Sequence, residues 1–346
     1  MTLHKSLVSL CCSTHSRPDL FPETLDGLLR QTYAPLEIVV LVDGAHPASI
    51  GLLETCTDPR LRWFATPEPS GMIAAWNKVV AAARGKYFLY CADDDVLLDR
   101  AIDAQVELLE GHSNVGFCHA DFNLIDDTGA RIGEWRSHEG EWIKSGQSEW
   151  RRYLTHPRCC MQTCVIRRDL WEQAGGWDES SGYPGDNSLY LKLLPSTDVG
   201  HTANLACSYR IRTRRPDSWA KNAQKVKDDF ALAIKHLESP PGFARKILGE
   251  LEREVGNHAA RNAIAVLADR RGTPAEITAF RSWIHGQLVA AERISNWYRL
   301  ILRYGMQRPA AYLKRFDEFL RGLVRTVAAF VYGTLAVKSL SQDPGK

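Results

Sequence analysis

The 346-residue chain sets 43 Lys or Arg against 41 Asp or Glu, a formal charge of +2, which is too small an excess to argue for a nucleic-acid partner. Hydrophobic residues at 45% and charged residues at 24% match an ordinary globular protein, excluding a disordered chain or a multi-span membrane protein. The length suits one large domain with an extension, or two domains. The first residues, "MTLHKSLVSLCCSTHSRPD", lack the long apolar region and small-residue cleavage site of a secretory signal, so a cytoplasmic location is expected. Nine cysteines, mostly inside apolar runs and without paired C-x-x-C spacing, read as reduced, buried thiols. A zinc site from Cys159, Cys160, Cys164 and a histidine is the alternative, although "CCMQTC" lacks the usual ligand spacing.

In chain order, "SLVSLCC" predicts a strand, "PETLDGLLRQ" a helix, "LEIVVLVD" a strand and "IGLLETC" a short helix. "LRWFAT" then predicts a strand, "GMIAAWNKVVAAAR" a helix and "KYFLYCA" a strand. Such βαβ alternation implies an α/β fold with a largely parallel sheet covered on both faces. Ligands of open sheets of this kind sit outside the carboxyl ends of the strands. Ser13, Thr14, Asp43 and the run Asp93, Asp94, Asp95 all fall at such ends, so distant parts of the chain point to one crevice. Three adjacent carboxylates raise one another's pKa unless a cation offsets the repulsion, and a hard divalent ion with oxygen ligands does so. Solvated acids at a strand end, or the acidic first turn of a helix in "DDDVLLDRAID", are the alternatives.

From about Leu7 to about Trp219 these segments resemble the family 2 glycosyltransferases of GT-A fold. The opening strand, turn and Arg-Pro of that family are similar to "VSLCCSTHSRPDLFPETLDGLLRQTY", and its Asp-Asp-Gly strand end to "LVDGA", with Val42 in place of the first aspartate. The resemblance implies that Asp43 partners a uracil base, and that Ser13, Thr14, His15 and Arg17 support the nucleotide. "PSGMIAAWNKVVAAARGKYFLYCADDD" resembles the approach to the family's Asp-x-Asp-type motif. By position it assigns Asp93 to the ribose, Asp94 to a Mn2+ or Mg2+ ion and Asp95 to an outer supporting role, with Asn77 matching a common nucleotide-side asparagine. Ala92 replaces the first aspartate of the longer motif.

The segment "VIRRDLWEQAGGWDESSGYPGDNSLYLKL" resembles the family's Gly-Gly-Phe-Asp-Glu loop and the Glu-Asp pair that opens a helix. This places Trp177, Asp178 and Glu179 on the donor or acceptor sugar. It makes Asp186 the catalytic base, with Gly185 in place of the glutamate; read from sequence alone, Asp186 could equally cap its helix. Arg212 in "CSYRIRTRRPDSW" stands at a histidine position near the diphosphate, where a guanidinium fork suits phosphate oxygens. His119 and Asp121 follow an apolar strand and suit either burial or substrate contact.

The resemblance implies inverting transfer of a sugar from a UDP-sugar, or another nucleotide-sugar, to a hydroxyl of a glycan or lipid-linked acceptor in surface polysaccharide synthesis. A sugar nucleotidyltransferase would open with a glycine-rich loop, and "STHSRPD" has no glycine. A receiver-type signalling domain would have no use for "GGWDES". A catalytically silent GT-A-like glycan- or nucleotide-binding scaffold stays open, because Ala92 and Gly185 both depart from the acidic pattern. The catalytic domain is expected over residues 1–225 and a helical region over 226–346. From residue 290 on, ten Lys or Arg face four acids, and "TVAAFVYGTLAV" is too short to span a bilayer. A basic amphipathic helix on an anionic membrane surface is expected there, with helix packing or homo-oligomer formation as the alternative.

Overall fold

The computed structural model describes residues 5–137, 139–155, 159–182, 185–211, 219–268, 272–289 and 293. It divides into two compact units, Met1–Pro216 with Ala231–Leu248, and Asp217–Phe230 with Gly249–Lys346. The boundary expected at residue 225 therefore falls inside one helix, Trp219–Glu238, which contributes to both units.

The first unit is an α/β layer structure. Its first half runs β1 (Val8–Thr14), α1 (Phe21–Leu29), β2 (Leu36–Asp43), α2 (Pro47–Glu54), β3 (Leu61–Thr66), α3 (Met72–Ala81) and β4 (Tyr87–Ala92). All eight residues of β2 are buried, which is why "LEIVVLVD" is apolar except for Glu37, which accepts from the Ser9 hydroxyl, and the terminal Asp43. Helix α1 buries Phe21, Thr24, Leu25 and Leu28, the spacing of a single helical face. Strands β3, β2, β1 and β4 pair in parallel in that order, so their carboxyl ends share one edge of the sheet.

The aspartate run does not open a helix. It ends in the two-residue β5 (Val96–Leu97), and α4 begins only at Asp103 (Asp103–Gly111). Beyond it come β6 (Val115–Ile125), β7 (Arg131–Trp135), β8 (Trp142–Lys144), α5 (Gly146–Tyr153), β9 (Val165–Arg167), α6 (Arg168–Gln173), α7 (Gly185–Leu193) and β10 (Asp198–Arg210). β9 inserts antiparallel between β4 and β6, whereas β10 pairs parallel with β6 and antiparallel with β5. The sheet is thus mixed but mostly parallel among its long strands. Its core alternates along neighbouring strands, with Val8, Leu10 and Cys12 packed beside Ile38, Val40 and Val42 and beside Tyr87, Leu89 and Cys91.

In the second unit a helix spans Leu248–Ala268, and another, Pro274–Ile284, starts on a capping box in which Thr273 and Glu276 satisfy each other's backbone N–H groups. Phe280 stacks on Trp283 with ring centroids 5.7 Å apart. The basic, apolar C-terminal stretch expected to lie on a membrane falls outside the described residues, apart from Arg293. No described helix is long and apolar enough to cross a membrane. All nine cysteines are free thiols, six of them buried. Among the described residues no group of three or more His, Cys, Asp or Glu is placed to hold a metal ion.

Candidate active site

The carboxyl ends of β1, β2 and β4 enclose a cavity of about 450 Å³, a size that suits a small-molecule ligand. Ser13, Thr14, His15, Arg17, Asp43, Asp93, Asp94 and Asp95 all line it. Parallel pairing produces this convergence: Ser13 is opposite Leu41 on one side and Ala92 on the other, so all three strands end at one level.

Asp43 is held rigidly. Its carboxylate accepts from the Ser70 amide (2.9 Å), the Ser70 hydroxyl (2.7 Å) and the Thr66 hydroxyl (2.9 Å). Burial raises its pKa, but these bonds outweigh burial and hold it below the usual carboxylate range. The Asp43 carbonyl lies 2.6 Å from His15 Nδ1, which orients the exposed imidazole at the mouth. Gly44 has φ +90°, and a Cβ there would lie 2.9 Å from Pro69 Cγ, so glycine is required after Asp43.

The three aspartates occupy unequal environments. Arg17 donates Nη1 to Asp93 Oδ1 (2.7 Å) and lies 2.6 Å from Asp94 Oδ2. Burial pushes the Asp93 carboxyl above its ordinary value; the Arg17 charge opposes this and the Asp94 charge adds to it. Asp95, 1% exposed, turns away and accepts from the Arg210 amide at 2.7 Å. Burial, and then repulsion from Asp94, push its carboxyl well above the usual range. Arg210 fixes this loop from behind, donating to the Asp94 carbonyl (2.8 Å), the Asp126 carbonyl (2.9 Å) and Glu23 Oε2 (2.5 Å).

Two carboxylate oxygens aimed at one cationic nitrogen make a donor set that fits a hard cation, with Arg17 standing in for it. Asp94 would hold a divalent ion, with Asp93 beside it and the remaining ligands left to phosphate oxygens and water, as is usual for Mg2+.

Several residues lie elsewhere than the sequence suggested. Asn77 does not line the cavity. It grips the loop after α6, donating to the Trp177 carbonyl (3.0 Å) and accepting from the Trp177 amide (2.9 Å). Trp177 is 2% exposed and sits edge-on to Trp76, Phe88 and Trp171, so it supports the aromatic wall from behind. Trp76 is the tryptophan that faces the cavity. Asp178 pairs with Lys235 and with the Ser180 amide and hydroxyl; burial raises its pKa, but these partners lower it to about 2. Glu179 is exposed, 3.4 Å from Asn77 Nδ2.

Asp186 sits in the first turn of α7, partly exposed, its Oδ1 accepting from the Asn187 amide at 2.8 Å. Asp186 does not line the cavity; Tyr209, which does, has its hydroxyl raised chiefly by burial. Arg212 lies outside the described residues. His119 and Asp121 are buried: Asp121 Oδ1 accepts from the Ser137 amide and lies 2.9 Å from His201 Nε2, a network that ties the hairpin to the sheet. Trp76 and Gln162 line the cavity without belonging to any recognised motif, whereas Tyr209, which also lines it, stands three residues before Arg212 in "CSYRIRTRRPDSW". Only the proximity of Trp76 to Asn77 in sequence could have pointed to it.

A parallel sheet with an acid-lined crevice at its switch from β1 to β4 is the ligand-binding arrangement of an open α/β sheet. Residues 9–174 match the family described as glycosyl transferase family 2. Over those residues the chain carries a glycosyl transferase family 2 domain. An uncharacterized glycosyltransferase of Rickettsia prowazekii is 23% identical over 236 residues, covering 66% of this chain and 71% of that protein. The O-antigen biosynthesis protein RfbC of Myxococcus xanthus is 29% identical over 244 residues, covering 65% of this chain but 18% of its own length. Among solved structures, residues 1–349 of S. aureus TarS in complex with UDP superpose with a TM-score of 0.61 at 14% identity, covering 91% of each chain. The mannosyltransferase PcManGT of Pyrobaculum calidifontis, in complex with GDP-Man and Mn2+, gives 0.54 at 19% identity, covering 90% of this chain and 85% of that one.

Proposed function

We propose that this glycosyltransferase moves a sugar, with inversion, from a UDP-sugar to a hydroxyl of a glycan or lipid-linked acceptor in surface polysaccharide synthesis. The observation that carries this reading is the convergence of the Ser13–Arg17 turn, Asp43 and the aspartate run on one cavity. Asp43, held by Ser70 and Thr66, presents a fixed carboxylate to a nucleobase N–H. Asp93 faces the ribose, and Arg212 serves the diphosphate. A divalent ion at Asp94, Mn2+ or Mg2+, would supply charge neutralisation of the departing diphosphate. Asp186 takes the proton from the attacking hydroxyl as general base. The UDP donor and polysaccharide acceptor draw support from what TarS binds and from the name of the Myxococcus relative. The basic C-terminal stretch suits contact with an anionic membrane carrying a lipid-linked acceptor. Deleting residues 309–346 is then expected to release the protein from anionic vesicles in a flotation assay.

A donor screen with UDP, GDP and dTDP sugars, with and without Mn2+, tests the reading. Asp186→Asn is expected to lose about 10²–10⁴-fold in rate while still binding UDP. Asp94→Ala is expected to lose metal-dependent turnover. Full activity in either variant would remove the role assigned to that residue. The substitutions Ala92 and Gly185 favour one second reading, a silent nucleotide-binding scaffold, which predicts UDP binding without turnover of any donor.

A further inference from the structure

Arg17 stands where two carboxylates of the crevice converge, a single nitrogen shared by Asp93 Oδ1 at 2.7 Å and Asp94 Oδ2 at 2.6 Å. The Asp93 and Asp94 side chains are only 10% and 15% exposed, so without a cation their repulsion would be poorly screened. The Arg17 side chain is 38% exposed at the cavity mouth and anchored by these two carboxylates. Arg210 contrasts with it: its side chain is 1% exposed and bonded to Glu23 and to two backbone carbonyls. Arg210 is fixed in the wall, whereas Arg17 has solvent on one side.

We propose that Arg17 is the exchangeable counter-cation of the unloaded site. It neutralises Asp93 and Asp94 until a nucleotide diphosphate offers phosphate oxygens to its guanidinium, and then yields the carboxylates to a divalent ion. This inference rests on the nucleotide-sugar reading above. A divalent ion arriving alone must displace the guanidinium and leave two cations crowded together. A diphosphate removes that obstacle, because its oxygens accept a planar guanidinium fork. Arg17 thereby makes metal binding depend on nucleotide binding, and by reciprocity makes nucleotide binding depend on metal.

Titration of Mn2+, followed by the electron paramagnetic resonance signal of the free ion, tests this in the full chain with and without UDP. In the wild type Mn2+ alone is expected to bind weakly, and UDP to tighten it by about tenfold or more. Arg17→Met is expected to bind Mn2+ alone about tenfold more tightly than the wild type, with the UDP effect reduced to about threefold or less. Arg17→Lys, which keeps the charge, is expected to fall between them, and circular dichroism of each variant checks folding. Equal affinity of the wild type and Arg17→Met for Mn2+ without UDP overturns the proposal. An undiminished UDP effect in Arg17→Met does the same, as does absence of Mn2+ binding in both proteins with UDP present. UDP binding by the wild type, measured by calorimetry, separates the two levels: its absence sinks the nucleotide-sugar reading, whereas UDP and Mn2+ binding with unchanged coupling sinks only the role of Arg17.

Discussion

At Gly185 the backbone runs so close to α3 that a Cβ would lie 2.7 Å from Ile73 Cδ1 and 3.3 Å from Trp76 Cζ3. The space that a glutamate would need beside Asp186 is filled by Ile73 and by a tryptophan of the cavity wall. Gly185→Glu, which restores the acidic pair of the family pattern, is therefore expected to destabilise the fold by about 1–3 kcal/mol through overpacking. Because Trp76 must shift, it is expected to weaken UDP binding rather than increase activity, as urea denaturation and a UDP titration will show. Asn77 makes the opposite case. Its side chain pairs with both backbone groups of Trp177 and stays out of the cavity. Asn77→Ala leaves a buried amide and carbonyl without their partners, at a cost of about 1–3 kcal/mol. UDP affinity is expected to hold within about threefold, since no group at the crevice is lost; a large loss of UDP affinity with unchanged stability would return Asn77 to the nucleotide side.

Elements were legible in the sequence where one segment carried its own signal. β2 and β3 coincide with "LEIVVLVD" and "LRWFAT", because an apolar run bounded by polar residues has few other ways to satisfy its backbone inside a sheet. The antiparallel insertions β5 and β9 were not legible, being two and three residues long and defined only by their partners. The site divides in the same way. Ser13, Asp43 and Asp93 are readable since strand ends carry them to the crevice, whereas Trp76 and Gln162 arrive from a helix and a 3₁₀ turn through tertiary packing alone. Asp178 belongs to this second kind. The loop Gly175–Gly176, with φ +70° at both residues, turns it toward Lys235 on the helix Trp219–Glu238. Its folded pKa of about 2 lies below an ordinary 3.8, so the stabilisation is complete above about pH 4 and disappears as pH falls toward 2. Lys235 is more than half exposed, and a double-mutant cycle over Asp178→Asn and Lys235→Met is expected to give a coupling of at most about 1 kcal/mol at neutral pH. Denaturation midpoints between pH 2 and 5 are expected to show a shallower acid loss in Asp178→Asn; an unchanged slope would remove the pair from the acid response.

At the scale of the whole molecule, the crevice lies in one of two compact units, and each unit has buried apolar residues of its own. Units with separate cores need not unfold together, so calorimetry of the full chain is expected to show two transitions. A ligand that binds only the folded crevice stabilises the unit that contains it by mass action, about 2.7 kcal/mol when its concentration is a hundred times its Kd. For a unit of this size that corresponds to an upward shift of roughly 5–10 °C. UDP with Mn2+ is accordingly expected to move one transition and leave the other in place. Movement of both transitions by the same amount would show that the two units unfold as one cooperative body. Movement of neither, at saturating UDP, would show that the crevice formed by Asp43 and the aspartate run does not take the nucleotide.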